Sequence, residues 1–172
     1  MSIPGAVFRP DGALNVVVET PRGAMAKFKY DVESGAMMLS RALPLGIAYP
    51  YDWGFVPATK AADGDPLDAM VLWDAASYPG VVLPSRIIGA LRVDQKNVRT
   101  GARERNDRLF VLPVKAPRVD HLHSIFDLSQ RERDEIERFF LNVVAFEGKD
   151  LRVLGFDGPD EGTRLVHEAM SA

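Results

Sequence analysis

Three carboxylates, Asp63, Asp65 and Asp68, fall within six positions in the stretch "AADGDPLDAM". Like charges this close repel one another, so the arrangement needs either water around it or a cation within it. A solvated turn accounts for the residue types, because Asp, Gly and Pro all form turns. A hard divalent cation accounts for them as well: Mg²⁺ takes oxygen ligands and is held by one or two carboxylates together with waters and substrate phosphates. In an extended stretch Asp63 and Asp65 point the same way. Gly64 lets the backbone bend and Pro66 stiffens the approach to Asp68. The calcium-binding helix–loop–helix pattern does not apply, since its later Gly and closing Glu are missing. On spacing alone both readings stay open.

The apolar run "AMVLW" (69–73) reads as a strand that anchors this turn to a core. Other short strands are expected at "ALNVVVET" (13–20), "AMAKFKY" (24–30), "GAMMLSR" (35–41), "SRIIGALRV" (85–93) and "RLFVLPV" (108–114), with Gly and Pro between them. In "AMAKFKY" the alternation puts Met25, Lys27 and Lys29 on one face. "DQKNVRTGARERND" (94–107) reads as a long, charged, exposed loop. Helices come late. Ser129 with Glu132 three residues on is a capping-box signature, and Ile136, Phe139, Phe140, Val143 and Val144 form one apolar stripe. A shorter helix with the stripe Leu165, Val166, Ala169 and Met170 ends the sequence. The expected class is α+β: a small, closed or nearly closed β-barrel with helices packed on it.

The length of 172 residues fits one domain over 1–172. A net charge of −3 argues against nucleic acid or an anionic membrane as partner, because binders of phosphate backbones carry a basic excess. With no Cys, disulfides and thiolate metal sites are excluded, which suits a reducing cytoplasm. The opening residues do not read as a signal peptide, and no apolar run reaches the ~20 residues of a membrane span. His121 and His123 lack a third ligand at sensible spacing and read as a structural loop. His167 reads as a surface residue. Neither a G-x-S-x-G elbow nor a Gly-rich phosphate loop is present.

From about residue 14 to 156 the sequence resembles the family I soluble inorganic pyrophosphatases. "VVVETPRG" resembles their first strand with its Glu, and "KFKYDVESGAMMLSR" their next hairpin with its Lys, "ESGA" turn and closing Arg. "YPYDWGFVPAT" resembles the stretch before the acidic turn, "DGDPLD" matches the signature at every fixed position, and "VDHLHSIFDL" with the following "FF" helix fits the C-terminal part. The resemblance implies a five-stranded barrel of the oligonucleotide-binding type with flanking helices, Mg²⁺-dependent hydrolysis of pyrophosphate to two phosphates, and homo-oligomers. By position it implies Asp63 and Asp68 as metal ligands and Asp65 as acceptor of the attacking water's proton. Lys27 and Arg41 would grip phosphate, and Glu19 would line the cleft.

Several positions depart from that family's pattern. Lys29 stands where a Glu is usual, Trp53 where a Tyr is usual, and Val143 and Val144 where a Tyr-Lys pair binds product phosphate. The later acidic cluster falls among Asp94, Asn106, Asp107 and Arg108, with an insertion that leaves its register open by a residue. Lys149 or Arg108 is the expected substitute at the phosphate site. A catalytically degraded homologue that binds phosphate compounds, or a hydrolase of another phosphoanhydride, are the alternative expectations.

Overall fold

A computed structural model describes residues 2–172. Its strands are β1 (Leu14–Thr20), β2 (Ala26–Asp31), β3 (Ala36–Ala42), β4 (Asp52–Phe55), β5 (Asp68–Val71), β6 (Val82–Lys96), β7 (Arg103–Arg105), β8 (Arg108–Pro113) and β9 (Arg152–Asp157). A 3₁₀ turn at Ile125–Asp127 precedes helix α1 (Gln130–Val143), and helix α2 (Pro159–Met170) follows β9. Strands β1, β4, β5, β8 and β6 pair in that order, and β6 pairs back to β1. The ring is therefore closed and five-stranded, and together with the two helices it makes the expected α+β architecture. The one parallel pair in the ring is β5 with β8.

The barrel strands are apolar on both faces because both faces are covered. Met70, Leu72, Phe110 and Leu112 point toward a cluster that includes Ile136, Phe139, Phe140 and Val143 of α1. Their alternates Ala69, Val71, Leu109 and Val111 point toward Val166 and Ala169 of α2. The capping box of α1 forms as expected: Glu132 N–H donates to the Ser129 hydroxyl at 3.2 Å, and Ser129 N–H donates to the Glu132 carboxylate at 2.8 Å. Val143 is buried, whereas Val144 caps the helix end and is half-buried against the same cluster. In α2 Val166 and Ala169 are buried and Leu165 half-buried, but Met170, the last helical residue, is exposed. Helix α2 lies so close to β6 that a Cβ on Gly162 would come within 3.0 Å of the Gly89 carbonyl oxygen.

Strand β6 runs past the barrel. Its first half pairs with β1 and β8, and its last residues pair with β7 and β9. This corrects the expectation of a long loop over 94–107: β6 continues to Lys96, turns near Asn97 and returns as β7. Charged residues form strands here because only one face of the ribbon is covered. Strands β4 and β9 were also not anticipated from the sequence. Asp52, at the start of β4, is fully buried and accepts hydrogen bonds from the Arg22 and Ser77 amides and the Trp73 indole. It pins two loops to the barrel. Among the described residues no helix is long and apolar enough to cross a membrane.

Candidate active site

The acidic turn is built as a rigid loop between β4 and β5. Val56 N–H donates to the Leu67 carbonyl at 2.9 Å, while Thr59 Oγ1 donates to the Val56 carbonyl and accepts from Leu67 N–H. Leu67, buried in the core, anchors the far side. Gly64 takes φ +88°, a left-handed conformation that β-carbon-bearing residues rarely adopt. This bend lets the Asp63 carboxylate accept the Asp65 N–H at 3.1 Å.

Opposite the turn stands the β2–β3 hairpin, a two-stranded sheet of its own. The end of β1 holds it in place. Thr20 Oγ1 both accepts from Phe28 N–H at 2.9 Å and donates to the Phe28 carbonyl, and Glu19 Oε1 accepts from Tyr30 N–H at 2.7 Å. With β2 fixed at Phe28 and Tyr30, the alternate residues Lys27 and Lys29 face the acidic turn. Lys29 Nζ donates to Asp65 Oδ2 at 2.7 Å.

A cleft of about 400 Å³ lies between these parts, lined by Lys27, Lys29, Asp63, Asp65 and Asp68 on one side. The other wall comes from the extension of β6. Gln95 and Asn106 face the cleft and are nearly buried, at 4% and 7% exposure. Their charged neighbours Asp94 and Asp107 point elsewhere: Asp94 pairs with Arg103 at 2.6 Å, and Asp107 accepts from Val93 N–H and pairs with Arg105. Lys149 completes the wall. It is placed there by Lys96 N–H, which donates to the Lys149 carbonyl at 2.6 Å, and by Arg103, which bridges to Asp150.

The sequence-derived candidates are thus largely brought together. Asp63, Asp65, Asp68 and Lys27 share the cleft. Glu19 borders an adjoining, mainly apolar cavity of about 380 Å³ that shares Lys29, Asp65 and Asp68 with it. Arg41 is turned away from the cleft wall: it donates to the Val143 carbonyl at the end of α1 at 2.9 Å and lies 3.7 Å from Glu147. Arg108 is buried, its guanidinium 5.9 Å from the Trp53 ring centre and 5.8 Å from that of Phe140, within cation–π range. Trp53 therefore packs on a cation, and its indole N–H has no partner among the described residues. His121 and His123 are exposed on the loop before α1.

Electrostatically the site is out of balance. Burial raises the Asp63 carboxyl above its ordinary range, and the charges of Asp68 and Asp65 add to that. Burial lowers the Lys27 ammonium, with Lys149, Arg108 and Lys29 adding to the shift and Asp68 opposing it. Burial likewise lowers Lys149, beside Arg108 and Arg41. Lys29 differs: burial lowers it, but the Asp65 hydrogen bond and charge outweigh that and leave it raised. Asp63 pushed toward its acid form, and Lys27 and Lys149 toward their neutral forms, describe a cleft that would gain from both a bound cation and a bound anion.

Glu19 is pushed up to about 7, by burial first and by the Asp68 charge. Between its ordinary 4.5 and about 7 the folded state holds a proton that the unfolded state releases, so this group's contribution to stability falls as pH rises through that window and is flat above it. Glu19→Gln keeps an acceptor for Tyr30 N–H and removes the buried charge. In metal-free buffer it is expected to raise Tm at pH 8 by on the order of 5 °C and to leave Tm unchanged near pH 4.5. Equal Tm values for parent and variant at both pH values would refute this assignment.

Asp63 and Asp68 have no cationic partner within ion-pair distance among the described residues, whereas Asp65 is committed to Lys29. No three Asp, Glu or His side chains among those residues stand close enough to hold a metal ion by themselves. The donor set fits one hard divalent cation that completes its shell with water and substrate oxygens.

Comparison with known proteins agrees with this geometry. The family model described as inorganic pyrophosphatase matches residues 16–172. The chain is 36% identical over 159 residues to an inorganic pyrophosphatase of Synechocystis, covering 92% of this chain and 90% of that protein. It is 35% identical over 161 residues to one of Nostoc, covering 94% and 92%. Its fold superposes on the crystal structure of inorganic pyrophosphatase from Thermus thermophilus with a TM-score of 0.87 at 32% identity, covering 99% of this chain and 95% of that one. Closed barrel, hairpin and "DGDPLD" turn thus occur together in a chain that belongs to the inorganic pyrophosphatase family.

Proposed function

We propose that the protein hydrolyses inorganic pyrophosphate to two phosphates with the aid of a divalent cation, Mg²⁺, held by Asp63 and Asp68. The observation that carries this reading is the charge make-up of the cleft: two carboxylates without cationic partners, together with Lys27 and Lys149, whose ammoniums are lowered by burial and by neighbouring cations. A cation held by Asp63 and Asp68 would supply two effects, a lowered pKa of water and neutralisation of phosphate charge.

The protein's own groups do the rest. Lys27 and Lys149 hold the phosphoryl oxygens and offset charge as it moves onto the leaving phosphate. Arg41, held by Glu147 and the end of α1 and not lining the cleft, acts through its charge on Lys149. Asp65 takes a proton from water as the water oxygen forms its bond to phosphorus. The bridging P–O bond then breaks, and the proton passes to the departing phosphate, so one water is consumed per pyrophosphate. Lys29 keeps Asp65 aimed.

Phosphate release from pyrophosphate, measured with Mg²⁺ and with EDTA, tests the reading. Release that stops in EDTA, returns with excess Mg²⁺ and is lost in Asp68→Asn is the expected result. No release at high protein and metal, or release indifferent to EDTA, would overturn it. Self-association belongs to the same proposal, because Met25, Leu45 and Phe146 leave large apolar side chains exposed. A purely monomeric profile in analytical ultracentrifugation would remove that part.

A further inference from the structure

We propose that the Lys29 ammonium is a resident cation of the cleft, holding Asp65 and supplying positive charge that a second metal ion would otherwise bring, so that the substrate-free protein takes a single divalent cation at Asp63 and Asp68. The inference rests on the metal-dependent reading above and concerns how many ions that site holds.

Three observations meet here. The first is the 2.7 Å contact between Lys29 Nζ and Asp65 Oδ2, which engages the one carboxylate of the acidic turn not already assigned to the cation. The fold places the Lys29 backbone, because β2 is held on either side of it by the Phe28 N–H donating to Thr20 and the Tyr30 N–H donating to Glu19, while the Lys29 and Asp65 side chains themselves are about half exposed. The second is the opposite wall. The two nearly buried side chains facing the cleft there are amides, Gln95 and Asn106, while Asp94 and Asp107 are turned out to arginines. Glu104, the carboxylate that does line this wall, is engaged by the Asn97 side-chain amide at 3.2 Å. Gln95 Oε1 is buried without a partner among the described residues. Neutral amide oxygens attract a second divalent ion far less than carboxylates do, and their N–H groups are donors for phosphate oxygens. The third is charge. Lysines and arginines lining the cleft outnumber its carboxylates. An ion beside Lys29 would face an ammonium at short range, and repulsion across such distances is strong wherever water is partly excluded.

The experiment is a titration of the substrate-free protein with Mn²⁺, with bound ion counted by the loss of the free-ion EPR signal and by calorimetry. The parent is expected to bind one equivalent, and Asp68→Asn none. Lys29→Glu returns a carboxylate and frees Asp65, and is expected to bind two, with spin–spin broadening from neighbouring ions. Lys29→Arg is expected to stay at one. Lys29→Gln, which removes the charge at nearly constant shape, serves if Lys29→Glu does not fold, and is expected to gain a second, weaker equivalent. Two or more equivalents in the parent would overturn the inference while leaving the metal-dependent reading intact. One equivalent in every folded Lys29 variant would overturn it too. A parent that binds no ion would instead defeat the metal-dependent reading itself.

Discussion

Asp65→Asn is expected to lower kcat for pyrophosphate by roughly 10²–10⁴-fold, the usual contribution of a positioned general base. The substitution leaves most of the surroundings intact. Asn Oδ1 still accepts from Lys29, and the Asp65 backbone N–H still donates to Asp63, since that bond does not involve the side chain being changed. The amide has no basic site to take a proton. KM and the Mg²⁺ concentration needed for half-maximal rate are therefore expected to change little, because Asp63, Asp68, Lys27 and Lys149 all remain. Initial rates over a range of substrate and metal, with Tm as the folding control, check this. A kcat within a few-fold of the parent would take the proton-accepting role away from Asp65 and leave it a partner of Lys29 only.

Gly54→Ala should have the largest effect on stability. Gly54 sits in the middle of β4, paired with Val18 on one side and Ala69 on the other. A Cβ there would lie 1.9 Å from the Val17 carbonyl oxygen and 3.0 Å from Val18 Cα, and both are backbone atoms with no rotamer to escape through. Relief requires β1 and β4 to separate, which opens the ring next to the acidic turn. Overpacking that side chains absorb costs about 1–3 kcal/mol; a backbone clash belongs at or beyond the top of that range, equivalent to a fall in Tm on the order of 10 °C for a chain of this size. Gly5→Ala is the matching control, since nothing lies within 4 Å of the added carbon. Equal thermal unfolding of the two variants would show that the barrel yields at this seam.

Six of the strands were legible in the sequence because apolar runs and alternation survive wherever a strand is covered. β4 and β7 were not, for opposite reasons. "DWGF" is too short to show a period, and its Gly reads as punctuation. "RER" is all charge, because its side chains pair with polar neighbours, Arg103 with Asp94 and Asp150, Glu104 with Asn97 and Arg105 with Asp107, and show no apolar alternation. The acidic turn was found by residue type and Lys27 through the family resemblance, and the structure brings them into one cleft. Asn106 was named only as one of the positions among which the later acidic cluster falls, its register left open, and Gln95 was missed because an amide in a sequence signals no chemistry. Only the register shows it: Leu91, Val93 and Gln95 alternate inward along β6, and Asp94 therefore turns outward. The same parity, carried two residues further from the apolar part of the strand, would have identified Gln95. Lys149 was available only as a guess, since its position depends on bonds from Lys96 and Arg103, distant in sequence.

The overrun of β6 beyond the barrel has a consequence for how such a chain changes over time. The residues that close the ring, from Val82 to about Leu91, and those that form the cleft wall, from Val93 to Lys96, share one strand but answer to different demands. The wall is a cantilever. Its side chains can be exchanged, or the turn near Asn97 lengthened, without altering any pairing that holds the ring shut. Innovation in ligand chemistry is thereby uncoupled from inheritance of the scaffold, and an acidic turn retained intact can face an opposite wall with a separate history.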